Sequence, residues 1–275
     1  MNLNRADDAK AVLEELVQTV PGLEQAWLTI ERLYRDGENT AELASLLVRR
    51  AAILEDTADM VPLLREAASL YSDQLNDHSR ALEVFLEAVR VDGEDESLFQ
   101  AALKEAQQVG EFHQLLQTGA ATAQALDLDA RVERVCLLAE TSAKENSDVD
   151  WALQLFETTL AELGPGVALL EAYCEHLEDA GRWEELVRTL GQLGDVQEDV
   201  YIKIGVARRR ATICEEQRND MEGAISVHEQ IVDLDASDRD ALGALERLYL
   251  HIGNYEKLVI TLERLIDVDP ARQAQ

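Results

Sequence analysis

"GEFHQLL" at residues 110–116, "GRWEELV" at 181–187 and "GNYEKLV" at 253–259 share the pattern Gly-x-aromatic-x-x-Leu-apolar, with their glycines 71 and 72 residues apart. A spacing held that closely marks an internal repeat, and a repeat decides the fold class before any single residue does. A fourth copy is expected to begin at Gly37 without its aromatic, and Leu43, Leu115, Leu186 and Leu258 keep step through all four.

A second series lies between these stretches. "SRALEVFLEAV" (79–89), "DWALQLFETTL" (150–160) and "GAISVHEQIV" (223–232) align Ala81, Ala152 and Ala224. Ala81, Val84, Phe85, Ala88 and Val89 fall on one stripe of an amphipathic helix. Ala68, Ala139 and Ala211 repeat at the same interval in the helix before each of these, and "ADDAKAVLEELV" supplies an earlier copy of the second helix. The period of about 72 residues is therefore two helical hairpins of about 36 residues each. It also explains why Glu-Arg-Leu-Tyr occurs both in "TIERLY" (29–34) and in "ALERLY" (244–249).

The bulk composition agrees. Of 275 residues 47% are apolar and only 5% aromatic, with four prolines and fourteen glycines, which favours helix and gives no alternating strand signal. The expected class is all-α: a leading helix near 5–19, then seven hairpins starting near 24, 59, 95, 129, 167, 197 and 238, in one continuous solenoid over 1–275. "GPG" at 164–166 is the strongest breaker and can kink the stack. A lone amphipathic hairpin cannot cover its apolar stripe, so stacked neighbours must bury it. Glycine is expected to supply the left-handed residue ending the first helix, and the aromatic after it to wedge between the two helices.

The last unit, "ALGALERLYLHIGNYEKLVITLERLIDVDP", resembles a tetratricopeptide repeat. It has a tyrosine in the first helix (Tyr249), the Gly-x-Tyr turn (Gly253, Tyr255) and a closing proline (Pro270). "RRATICEEQRNDMEGAISVHEQIVDLD" is similar, with small residues at Ala211 and Ala224, whereas Glu246 and Leu258 stand where that family has small residues. The resemblance covers nearly the whole chain. It implies a right-handed α-α superhelical solenoid with a concave groove that binds helices or extended peptides.

The net charge of −30 disfavours nucleic acid, whose phosphates need a cationic stripe. It fits a coat of solvated acids on helix faces or, as the sharper alternative, attraction of a basic partner. Cys136, Cys174 and Cys214 form no CxxC pair and read as reduced core residues of a cytoplasmic protein. "MNLNRADDAK" is not followed by the apolar segment of a signal peptide, and no stretch is apolar enough to span a membrane.

Reaction chemistry finds no foothold. His78, His113, His176, His228 and His251 are scattered, with no metal-ligand spacing, and His228 aligns with Phe85 and Phe156 as a packed residue. Cys174, Glu175 and His176 are sequence neighbours that point three ways on a helix. No phosphate loop or nucleophile elbow is present. No catalytic, metal or cofactor site is expected.

One basic cluster stands out in the acidic chain. In "KIGVARRRA", Arg208 and Arg209 fall on positions that, by the resemblance, line the groove, as do Arg247 and Arg65. They are either an anion-binding spot for an acidic or carboxylate-bearing peptide, or partners of neighbouring glutamates on the same surface. Asn39, Asn76, Asn146, Asn219 and Asn254 fall at turns, so the asparagines that accompany such arginines in carboxylate-clamping relatives are missing. The expected function is a non-enzymatic scaffold binding a peptide or helix of a protein partner. The alternative is a regulatory or targeting segment of a larger enzyme or assembly. The uncovered stripe of the last helix (Leu258, Val259, Leu262, Leu265, Ile266) and the trailing "ARQAQ" point to self-association or to flanking repeats.

Overall fold

A computed structural model describes residues 3–268, with side chains from residue 8 onward. The described chain is all-α, and no strand occurs among the described residues. It divides into two compact units, residues 1–148 and 149–275, each taken by itself below. The closing Pro270 and "ARQAQ" lie outside the described residues.

The first unit opens with α1 (Leu3–Thr19), followed by the pairs α2 (Glu24–Asp36) and α3 (Thr40–Ala51), α4 (Thr57–Ser69) and α5 (His78–Val91), and α6 (Glu96–Val109) and α7 (His113–Ala123), and ends with α8 (Leu128–Lys144). The second begins with α9 (Val149–Leu163) and continues with α10 (Val167–Asp179) and α11 (Trp183–Val196), α12 (Val200–Glu216) and α13 (Met221–Leu234), and α14 (Arg239–Ile252) and α15 (Tyr255–Val268). In chain order this is a leading helix and three pairs ending in α8 in the first unit, then α9 and three pairs in the second. Within each unit the substantial contacts join helices that are consecutive or one apart, as stacked hairpins require.

The residues that keep the period form the core. Leu43, Leu115, Leu186 and Leu258 are buried, and so are the alanines at 68, 139 and 211 and at 81, 152 and 224. A small side chain lets paired helices approach closely, while leucine and phenylalanine fill the gaps between hairpins. Burial of each such large side chain contributes about 1.5–3 kcal/mol. Gly119 shows how tight this packing is: a Cβ there would sit 2.7 Å from Leu138 and 2.8 Å from Phe99.

The turns also keep the period, with one displacement. Left-handed residues occur at Glu38, Gly110, Gly181 and Gly253, whereas Gly37 has an ordinary φ of −94°. The expected role of Gly37 therefore belongs to Glu38, which lies 72 residues before Gly110. A second set closes the other turns: Asn76, Ser147 and Asn219 have φ near +50°. Each precedes an aspartate whose backbone N–H reaches six residues back, Asp77 to Tyr71, Asp148 to Ser142 and Asp220 to Cys214. At the first of these, residues Leu70–Gln74 widen into a π-helical turn.

The expected aromatic wedge holds unevenly. Phe112 is buried and Trp183 half-buried, but Tyr255 is 67% exposed. The stripe of the last helix is covered in part. Leu258 and Leu265 are buried within the hairpin, whereas Val259 and Ile260 are exposed like Tyr255.

Candidate binding face on the first helices

The repeated word Glu-Arg-Leu-Tyr has one structural meaning. Tyr34 Oη donates to Glu14 Oε1 at 2.6 Å, and Tyr249 Oη donates to Glu229 Oε1 at 2.6 Å, each reaching 20 residues back to the preceding second helix. A cation finishes each cluster: Arg49 binds Glu14 through both terminal nitrogens at 2.8 and 2.9 Å, and Lys257 Nζ reaches Glu229 at 2.5 Å. Burial, with the hydrogen bond to a carboxylate, pushes both tyrosine hydroxyls well above their ordinary range. The Arg49 bond holds Glu14 below the usual carboxylate range.

Each of the four arginines singled out in the sequence meets a carboxylate about one hairpin away. Arg65 Nη2 lies 2.6 Å from Asp95 Oδ2, and Arg208 Nη2 lies 2.5 Å from Asp238 Oδ2. The two aspartates are equivalent helix caps. Asp95 Oδ1 accepts from the Ser97 N–H at the start of α6, and Asp238 Oδ1 from the Ala241 N–H at the start of α14. One carboxylate thus caps the next first helix and ties it to the previous one. The third position of this series carries Cys136 and Gly166, residue types that cannot form the pair. Arg209 pairs with Glu178, and Arg247 Nη2 lies 2.5 Å from Glu215 Oε2.

These bonds set α10, α12 and α14 side by side. Their shared face carries four exposed acids, Glu171, Glu175, Asp179 and Glu216, that make no ion pair among the described residues. It also carries Tyr201, 85% exposed, with Ile202 beside it, and Leu250, 60% exposed. Between them lie two bare stretches of backbone. Gly205 in α12 and Gly243 in α14 sit in helix interiors, and a Cβ at either would meet nothing within 4 Å. A helix-interior glycine costs about 1 kcal/mol relative to alanine, and no packing among the described residues requires these two.

The sequence did not single out Arg134. It is 2% exposed, donates through Nη2 to Glu96 Oε2 at 2.6 Å, and stacks 4.1 Å above the Phe99 ring centroid. Its Nε and Nη1 find no partner among the described residues. The signal was present, since Arg134 interrupts the buried stripe of Val135, Leu138 and Ala139. Glu105 was missed too. This buried carboxylate accepts from Ser72 Oγ at 2.8 Å and lies 2.7 Å from His78 Nδ1. Serine and histidine both bind the acid rather than each other, so they form no nucleophile–base pair.

The other expected chemistry resolves into packing. Cys174 is buried, which pushes its thiol up to about 11, and Cys214 is raised for the same reason. Cys136 is only half-buried, unlike the core residue expected there. His228 is buried with Nε2 3.2 Å from Glu215, and His176 packs on Phe156 at 5.0 Å. No cluster of three or more His, Cys, Asp or Glu among the described residues is arranged to hold a metal. No described helix is long and apolar enough to cross a membrane.

Residues 241–274 match the tetratricopeptide repeat family. The match falls on the last pair, α14 and α15, and both units are stacks of helical hairpins. No curated protein matches the chain. Solved structures are similar at low identity. A TPR repeat-containing protein from Cytophaga hutchinsonii, in its C-terminal part, is 12% identical with a TM-score of 0.39, covering 87% of this chain and 94% of that one. The MamA MSR-1 C2 structure is 15% identical with a TM-score of 0.35, covering 64% of this chain and 97% of its own. Yeast Tom70 is 16% identical with a TM-score of 0.33, covering 96% of this chain and 55% of that one.

Proposed function

We propose that this TPR-like chain is a non-enzymatic interaction scaffold that binds a peptide or helix of a protein partner. One observation carries the reading: the first helices of the second unit leave Tyr201, Ile202 and Leu250 exposed on one face while the hairpin cores beneath are filled. Large apolar side chains on a scaffold face are the anchors from which protein contacts are made. Binding then proceeds by shape and side-chain complementarity, with no bond made or broken. The buried thiols of Cys174 and Cys214 support the cytoplasmic setting read from the sequence. Arg65, Arg208, Arg209 and Arg247 border the first-helix faces, and an acidic ligand would have to displace the carboxylates they already hold.

The test is a panel of labelled synthetic peptides of varied charge and helicity, titrated against the full chain. Saturable binding that Tyr201→Ala with Leu250→Ala weakens supports the scaffold. Absence of saturable binding across the panel overturns it.

A further inference from the structure

We propose that the first-helix face of the second unit seats a cationic amphipathic helix of the partner, which lies closest to the chain at Gly205 and Gly243. The proposal rests on the scaffold reading and names the chemistry of its ligand.

Helix periodicity sets the face. On α12, Tyr201, Gly205, Arg208 and Thr212 follow one another at intervals of three or four, and on α14 Asp240, Gly243, Arg247 and Leu250 do the same. Apolar contacts and bare backbone therefore alternate along two adjacent helices. Glycine is kept inside a helix, against its propensity, where another backbone must come close. At Gly119 that neighbour is within the chain, whereas at Gly205 and Gly243 the space is open.

Charge selects among occupants. Arg208, Arg209 and Arg247 are each neutralised by Asp238, Glu178 and Glu215. What remains uncompensated is negative: Glu171, Glu175, Asp179 and Glu216 beside the apolar contacts. A second copy of this chain, at a net charge of −30, would meet repulsion, and an acidic peptide would meet the same free carboxylates. A helix with lysine or arginine flanking an apolar stripe satisfies both features, its cations meeting the acids and its apolar side chains meeting Tyr201, Ile202 and Leu250.

The deciding experiment uses fluorescence anisotropy at about 150 mM salt with the full chain and three labelled synthetic peptides. One carries Lys and Leu at helical spacing, one carries Glu and Leu in the same pattern, and one is a scrambled Lys–Leu sequence of equal composition. The Lys–Leu helix is expected to bind saturably, the scrambled peptide at least about tenfold more weakly and the Glu–Leu helix not at all. Gly205→Leu combined with Gly243→Leu is expected to weaken the Lys–Leu helix at least about tenfold. It should hold or raise Tm, by about 2–4 °C, since leucine favours a helix and a Cβ at either position meets no described residue within 4 Å. Unchanged affinity in that variant, equal binding of the scrambled peptide, or a lowered Tm overturns the proposal. Preference for the Glu–Leu helix overturns it while leaving the scaffold standing. Binding of none of the three removes both.

Discussion

Glu38 occupies a backbone position that its three equivalents give to glycine. Its φ of +54° matches the left-handed conformation of Gly110, Gly181 and Gly253, and a side chain there costs about 1–2 kcal/mol, partly offset by glycine's greater freedom in the unfolded chain. Glu38→Gly should stabilise the protein by about 0.5–1 kcal/mol, read as a higher urea midpoint with an unchanged slope. Arg134 is the other residue out of keeping with its surroundings. A guanidinium with two unpartnered nitrogens has been taken out of water for one carboxylate and one aromatic face. Replacing such a charge by an apolar side chain of similar reach is often stabilising, whereas removing only its partner strands it. Arg134→Met should therefore raise stability by about 1–3 kcal/mol and Glu96→Gln should lower it. The opposite order in urea melts would mean that the unpartnered nitrogens are satisfied by water.

Between elements, a tie of about thirty residues recurs from an arginine on one first helix to the aspartate that caps the next. Arg208 is about half exposed while the Asp238 carboxylate is buried, so the two partners contribute unequally. Asp238→Ala removes both the cap and the tie and should cost about 1–2 kcal/mol. Arg208→Ala removes a half-solvated cation and should cost about 0.5 kcal/mol, and the double variant should cost no more than Asp238→Ala alone. A double variant whose loss equals the sum would show that the two side chains act independently. The sequence could announce the period because Leu43, Leu115, Leu186 and Leu258, like the two alanine series, face the same packing problem in every copy. It could name Arg65 and Arg208 but not their partners, since a contact thirty residues away depends on how hairpins stack. Gly37 misled because glycine is permitted at many positions and required at few, and only φ distinguishes them. Tyr201 and Gly205 carried no warning either, because a residue's letter does not say whether a neighbour covers it.

Across the whole molecule, two electrostatic effects with opposite pH dependence compete. The excess of 55 acidic over 25 basic residues makes the folded chain repel itself at neutral pH. Protonation of exposed carboxylates as pH falls toward the isoelectric point near 4.4 relieves that repulsion and should raise stability. Against it stand carboxylates held below their ordinary range in the fold. Glu14 is held there by the bond from Arg49, and Asp95 by the bonds from Ser97. Glu229 is lowered by Lys257 and Tyr249 despite the opposing effect of burial. A group whose folded pKa is depressed contributes stability above its unfolded value and loses it as pH falls through the folded value. These ties therefore fail at and below about pH 4, after most of the repulsion has been relieved. Tm should rise from about pH 7 to about pH 5 and then fall steeply below about pH 4. Salt separates the two effects: about 0.5 M NaCl should raise Tm at pH 7 by screening repulsion and change it little near the isoelectric point. Glu14→Gln should lower Tm at pH 7 and flatten the acid limb, because it lacks the proton-linked bond to Arg49. Thermal melts followed by circular dichroism across this range decide the matter, and a Tm that falls steadily from pH 7 downward would show that the ties outweigh the repulsion throughout.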